Sequence, residues 1–190
     1  MTLQRILPFT RTLLNSVLTE GGIAIDGTCG NGHDTLFLAE SVGKLGKVYG
    51  FDIQSEAIEA TEKRLTEANQ SAQVALFHES HASINSNIET KDVGNVSAAI
   101  FNLGYLPGGD KTIVTKPEET IQAVTDILHL LRSEGLLILV VYPGHPEGKI
   151  ESEKVTDFAS GLDQSHYQVL KYQFINQINE PPYILAISKK

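Results

Sequence analysis

AIDGTCGNGHDT, residues 24–35, ends an apolar run on an aspartate, passes through Gly27, Gly30 and Gly32, and enters a segment with helical spacing. Glycine at such a turn lets the backbone bend sharply and approach a ligand closely, because it adopts positive φ without a Cβ penalty. Outward from the turn, IAID (23–26) reads as a strand, a helix begins near His33, and KVYGFD (47–52) reads as a second strand. Together they form a compact β-α-β unit, which implies a parallel sheet.

The alternation continues along the chain. Residues 4–19 place Ile6, Leu7, Leu13, Leu14, Val17 and Leu18 at roughly helical spacing, interrupted by Pro8, so residues 1–20 read as a helical lead-in. A helix over 55–69, a strand over 73–77 and another over 97–102 follow, then a helix over 117–132 opened by Pro117, Glu118 and Glu119. GLLILVVY (135–142) is apolar throughout, the pattern of a central strand covered on both faces. A helix at about 149–162 precedes YQVLKYQF (167–174) and YILAISK (183–189), whose short connection implies an antiparallel pair. The expected fold is α/β: a Rossmann-like, doubly wound, mostly parallel sheet of seven strands with an antiparallel C-terminal hairpin. Five parallel strands closed by a hairpin resemble the class I methyltransferase sheet, whereas a dinucleotide dehydrogenase usually continues with parallel units.

Composition bounds the alternatives. The 190 residues suit one domain spanning 1–190, and 41% hydrophobic with 20% charged residues is an ordinary globular balance. No apolar run reaches a membrane span, and MTLQRILPFTRTLLNSVL carries arginines within its apolar pattern, so a cytoplasmic protein is expected. The single Cys29 excludes a disulfide framework, and the isolated Cys and His residues lack zinc-site spacing, so no metal is predicted. A formal charge of −8 argues against general electrostatic binding of nucleic acid; any RNA would be recognised locally. Arg5, Arg11, Lys111, Lys116 and Lys149 are candidates for a local phosphate-binding face, each with the alternative of an ordinary surface charge.

The chemistry concentrates at the carboxyl ends of the strands, where ligands bind in open α/β sheets. Asp52 falls at the end of the second strand, where an acidic side chain accepts hydrogen bonds from both ribose hydroxyls, so turn and carboxylate together suggest an adenosine ligand. Asp26 and Asp34 bracket the turn and would repel a pyrophosphate, which normally seeks a helix N-terminus. The same carboxylates suit a ligand bearing an ammonium and a sulfonium, with the amides of Asn31 and Gly32 holding its carboxylate. S-adenosylmethionine has those groups. Asp34 alternatively only complements the helix dipole, and Gln54 either covers the adenosine or belongs to a polar first turn. In FHESHASI (77–84), Ser80 and His81 stand where an adenine edge would lie, with a plain surface loop as the competing reading. No G-x-x-x-x-G-K-[ST] phosphate loop occurs.

FNLGYLPGGDK (101–111) follows the fourth strand at the same edge. Asn102, Gly104 and Tyr105 are similar to the N/D-P-P-Y/F motif of amino-group methyltransferases, although leucine and glycine replace both prolines. In that arrangement an amide oxygen and backbone carbonyls accept amine hydrogens while an aromatic ring packs on the substrate, and transfer follows largely from positioning. The competing reading is a turn at Pro107, Gly108 and Gly109, with Asp110 and Lys111 as turn residues or substrate contacts. YPGHPEG (142–148) returns to this edge, so Tyr142 and His145 are candidates to line an acceptor pocket, Tyr142 by stacking on a base and His145 by contacting phosphate or removing a proton, unless the segment is only a rigid loop.

Taken in order, DGTCGNGHDTLFLAE, GFDIQ, FNLGYLPGGDK and VVYPGHPEG resemble the small bacterial tRNA 5-(aminomethyl)-2-thiouridine methyltransferases, sequences also labelled ribosomal RNA methyltransferases. The resemblance covers nearly the whole chain. It implies N-methylation of the aminomethyl group of the wobble uridine in a tRNA anticodon stem-loop, giving 5-(methylamino)methyl-2-thiouridine. It also implies S-adenosylmethionine against Asn31, His33, Asp52, Gln54, Ser80 and His81, with Asn102 and Tyr105 facing the acceptor. His33 is open between backbone and side-chain contact. Other readings are a ribosomal RNA or small-molecule amine methyltransferase, or a non-catalytic adenosine-ligand or RNA-binding module. Oligomeric state is left open, including a homodimer.

Overall fold

The computed structural model describes residues 2–104, 115–144 and 146–190. Helix α1 (Ile6–Asn15) precedes strand β1 (Ile23–Asp26), and α2 (His33–Val42) leads to β2 (Lys47–Asp52). Next come α3 (Ser55–Glu67), β3 (Val74–His78), a short α4 (Ile84–Asn87) and β4 (Val96–Leu103). The chain closes with α5 (Pro117–Leu130), β5 (Leu131–Val141), α6 (Pro146–Ser160), β6 (Tyr167–Tyr172) and β7 (Tyr183–Lys189). Pro8 does not break α1, because it sits in the first turn, where a backbone N–H has no intrahelical partner to lose.

The sheet runs β3-β2-β1-β4-β5-β7-β6, parallel from β3 to β5, with β7 antiparallel to both β5 and β6. This bears out the expected fold and adds a detail: the second strand of the hairpin, not the first, joins β5. The reason is burial. Tyr183 to Ile187 are all buried in β7, whereas the middle four residues of β6 are exposed, so β7 takes the inner place and β6 the edge.

Alternate residues of each strand feed two cores. Ile25, Phe51, Phe101 and Leu139 pack on one face with α5 residues such as Ile127; Ala24, Val48, Ile100 and Ile138 pack on the other with Leu14 of α1, Leu38 of α2 and Leu65 of α3. Two covered faces explain why β4 and β5 are apolar runs rather than alternating ones. Strand order reverses between β1, which pairs with β2, and β4, which pairs with β5, so a crevice opens between the carboxyl ends of β1 and β4. Among the described residues, no helix is long and apolar enough to cross a membrane.

Candidate functional site

The turn from β1 to α2 is held in a shape that only glycine adopts cheaply. Gly30 has φ 54° and Gly32, which caps α2, has φ 76°. A Cβ on Gly27 would lie 2.1 Å from Phe101 Cε1, and one on Gly32 would lie 2.8 Å from Thr61 Cα. Close packing therefore brings β4 and α3 against the turn. Thr61 Oγ1 donates to the Gly30 carbonyl at 3.3 Å, and Arg64 Nε donates to the Asn31 carbonyl at 2.7 Å. Arg64 Nη2 also lies 3.3 Å from His33 Nε2. Asp52, the last residue of β2, accepts the Gly30 amide at 2.9 Å and the Gln54 amide at 3.0 Å, one on each oxygen. Each oxygen keeps a further lone pair for a diol. Gln54 precedes α3, and its side chain makes no capping hydrogen bond.

The two aspartates that bracket the turn have different surroundings. Asp26 has no exposed surface; Thr35 Oγ1 donates to it at 2.6 Å and the Thr28 amide at 3.1 Å. Burial first, then the Asp34 charge, pushes its carboxyl from 3.8 up to about 7, against the pull of those hydrogen bonds. Asp26 thus lies behind the turn and braces it. Asp34 is half-buried and accepts from Asn102 Nδ2 at 2.9 Å.

On the β3 side, Ser80 Oγ donates to Glu119 Oε2 at 2.8 Å and accepts from the Ala82 amide at 3.2 Å, so its hydroxyl is engaged within the protein. His81 is 7% exposed, its ring edge against Phe101, and its Nε2 is buried without a hydrogen-bond partner among the described residues. Burial lowers its pKa, opposed by Glu119 and the Gly27 backbone, so a neutral ring is favoured. An orphaned ring nitrogen is costly unless a ligand engages it, and a neutral imidazole beside an apolar ring fits the edge of a purine.

A cavity of about 910 Å³ opens at the crevice, lined by Asn31, His33, Asp34, Asn102 and Tyr142 together with Arg11 from α1. Asn102 is fixed at its backbone by donation to Thr28 Oγ1 at 2.7 Å. Tyr142 is half-buried, and burial, then the Asp34 charge, raises its pKa. Asp26, Gln54, Asp52, Ser80 and His81 do not line this cavity; the last four lie beyond β1, at the ends of β2 and β3 and in the residues after them. Tyr105, Asp110, Lys111 and His145 lie outside the described residues, so the structure reports nothing of their roles.

Sequence reading missed Thr28, Thr35, Thr61 and Arg64, whose partners lie on other elements or across the turn. Thr28 and Thr35 stand within the glycine segment and were open to the question of what satisfies Asp26. Arg64 reaches Asn31 across a separation of 33 residues, and no local pattern signals it.

Comparison with known proteins agrees with this architecture. A family model described as "Putative rRNA methylase" matches residues 48–188. The chloroplastic tRNA (mnm(5)s(2)U34)-methyltransferase of Arabidopsis thaliana is 38% identical over 182 residues, which is 92% of this chain; the chain spans 66% of that relative's length. The crystal structure of a "putative rRNA-methylase" from Clostridium thermocellum superposes with a TM-score of 0.96 at 42% identity, covering 100% of both chains. A Streptococcus mutans "putative methyltransferase", solved in complex with SAH, gives 0.89 at 38% identity over 100% of both chains. The chain belongs to the "Putative rRNA methylase" family, and with it to the class I S-adenosylmethionine-dependent methyltransferases.

Proposed function

We propose that this methyltransferase N-methylates the aminomethyl group of 5-aminomethyl-2-thiouridine at the wobble position of tRNA, giving 5-methylaminomethyl-2-thiouridine. The observation that carries the reading is Asn102: a carboxamide at the end of β4, tied down at backbone and side chain, in a cavity that opens at the sheet's switch point. A fixed amide oxygen suits the hydrogens of a primary amine, and holding the nucleophile in line supplies most of what methyl transfer requires. The chloroplastic relative, named for that tRNA nucleoside, supports the choice of acceptor.

In this reading Asn31, Gly32 and His33 hold the amino-acid end of S-adenosylmethionine, Asp52 its ribose, Gln54 covers the adenosine, and His81 meets the adenine edge with Ser80 beside it. When bound, S-adenosylmethionine would supply an electrophilic methyl carbon on a sulfonium, and the proton of the methylated ammonium would leave to solvent. Asn102 Oδ1 accepts hydrogen bonds from the amine N–H groups. Tyr105, Tyr142 and His145 complete the acceptor side, and an anticodon stem-loop brings the base to the cavity mouth.

The test is transfer of a labelled methyl group to tRNA lacking the wobble-amine methyl, followed by nucleoside mass spectrometry. Methylated aminomethyl-thiouridine is the expected product. Labelling of ribosomal RNA or of a small amine instead, or cofactor binding with no transfer to any of them, overturns the assignment.

A further inference from the structure

We propose that Asp34 is a positioning residue that sets which end of the Asn102 carboxamide faces the acceptor. The inference rests on the reading that Asn102 receives the acceptor amine. Asp34 Oδ2 lies 2.9 Å from Asn102 Nδ2, across 68 residues of sequence. A carboxylate only accepts hydrogen bonds, so the carboxamide is held with its NH₂ toward Asp34; the reversed amide would set two acceptor oxygens against each other. Oδ1 is then the end left for a donor, and among the described residues no donor engages it. An amine offers hydrogens, so this orientation makes the residue a receiver of amine N–H groups and aims the nitrogen lone pair away from Asn102.

Three local features hold the Asp34–Asn102 pair in place. It stands in the first turn of α2, where the helix dipole favours a carboxylate. That turn is seated by Gly32 against Thr61, and Asn102 is anchored from the other side by Thr28 Oγ1. Both residues line one cavity, so the pair faces the space an acceptor would enter. This differs from the role expected of Asp34 in the sequence, a contact to the cofactor.

Asp34→Asn separates the two roles, because a carboxamide at 34 pairs with either end of Asn102 and releases the orientation. With tRNA lacking the wobble-amine methyl as acceptor, we expect kcat to fall by roughly 10- to 100-fold, the scale of lost positioning, with acceptor KM little changed. Calorimetric affinity for S-adenosylhomocysteine should stay at the wild-type value, which also reports an intact fold. The exchanged pair Asp34→Asn with Asn102→Asp reverses the hydrogen bond, with the donor now at 34, and leaves an acceptor oxygen of residue 102 for the amine, so it should recover about tenfold of the loss. Unchanged kcat in Asp34→Asn, weakened cofactor affinity with kcat intact, or an exchanged pair no better than the single variant each overturns the proposal. Near-normal turnover in Asn102→Ala removes instead the reading of the acceptor site on which it rests.

Discussion

Asp26 and Asp34 are interchangeable to a reader of the glycine turn, since both are carboxylates flanking it. In the folded protein they part: one is sealed behind the turn, the other reaches the cavity. Asp26 carries a testable consequence. Its carboxyl titrates at about 7 folded against 3.8 as the ordinary value, so the raised folded pKa favours the native state while the group is protonated. That contribution is full below about pH 3.8 and is lost as pH rises through about 7. Asp26→Asn removes the titration, so its stability relative to wild type should grow steadily from acid toward neutral pH and then level off. Urea midpoints for both proteins across that range measure it, and parallel curves would refute the buried-carboxyl assignment. Groups of opposite sign, such as Glu119, whose pKa is lowered chiefly by Ser80, are present in both proteins and cancel.

At the scale of elements, the β1–α2 turn is where conformation and packing act together. Gly27→Ala would drive a Cβ into the Phe101 ring, 2.1 Å from Cε1, and the ring is itself buried against His81. Overpacking of this kind should cost about 1–3 kcal/mol, read from a shifted urea midpoint. Gly94→Ala is the control for backbone strain alone, with φ +77° and nothing within 4 Å of the added carbon; about 1 kcal/mol is expected there. Equal losses would mean that Phe101 moves aside. Element positions were largely legible, since β1, β2 and β7 follow from apolar period and turn residues, and Pro117 marks the start of α5. The segment between β3 and β4 was not. Its short helical pieces, His81–Ser83, Ile84–Asn87 and Thr90–Asp92, are below the length at which apolar period is readable, and they form because Ile84 and Ile88 find a buried face.

For the whole molecule, a net charge of −8 gives little long-range attraction to a polyanion, so in the proposed reading any contact with tRNA would depend on a few placed cations. Of the basic residues that sequence suggested for a phosphate face, Lys116 is paired with Glu119 at 3.3 Å and Lys149 with Glu180 at 3.7 Å. Arg11 instead lies over the Phe37 ring at 5.0 Å and lines the cavity. Arg11→Ala should therefore weaken tRNA binding and flatten the plot of log K against log salt by about one unit, whereas Lys149→Ala should leave the slope near wild type. Filter binding at several salt concentrations decides it; identical slopes would remove Arg11 from the RNA surface. The chain by itself determined the alternation of strands and helices, the glycine turn, Asp52 at the end of β2 and Asn102 at the end of β4, because these are written in short-range period and composition. Only the tertiary structure decided that β7 lies inside β6, that Asp26 braces the turn, and that Asp34 meets Asn102. Those outcomes depend on burial and on hydrogen bonds between residues far apart in sequence, which exist only once the strands have taken their order in the sheet.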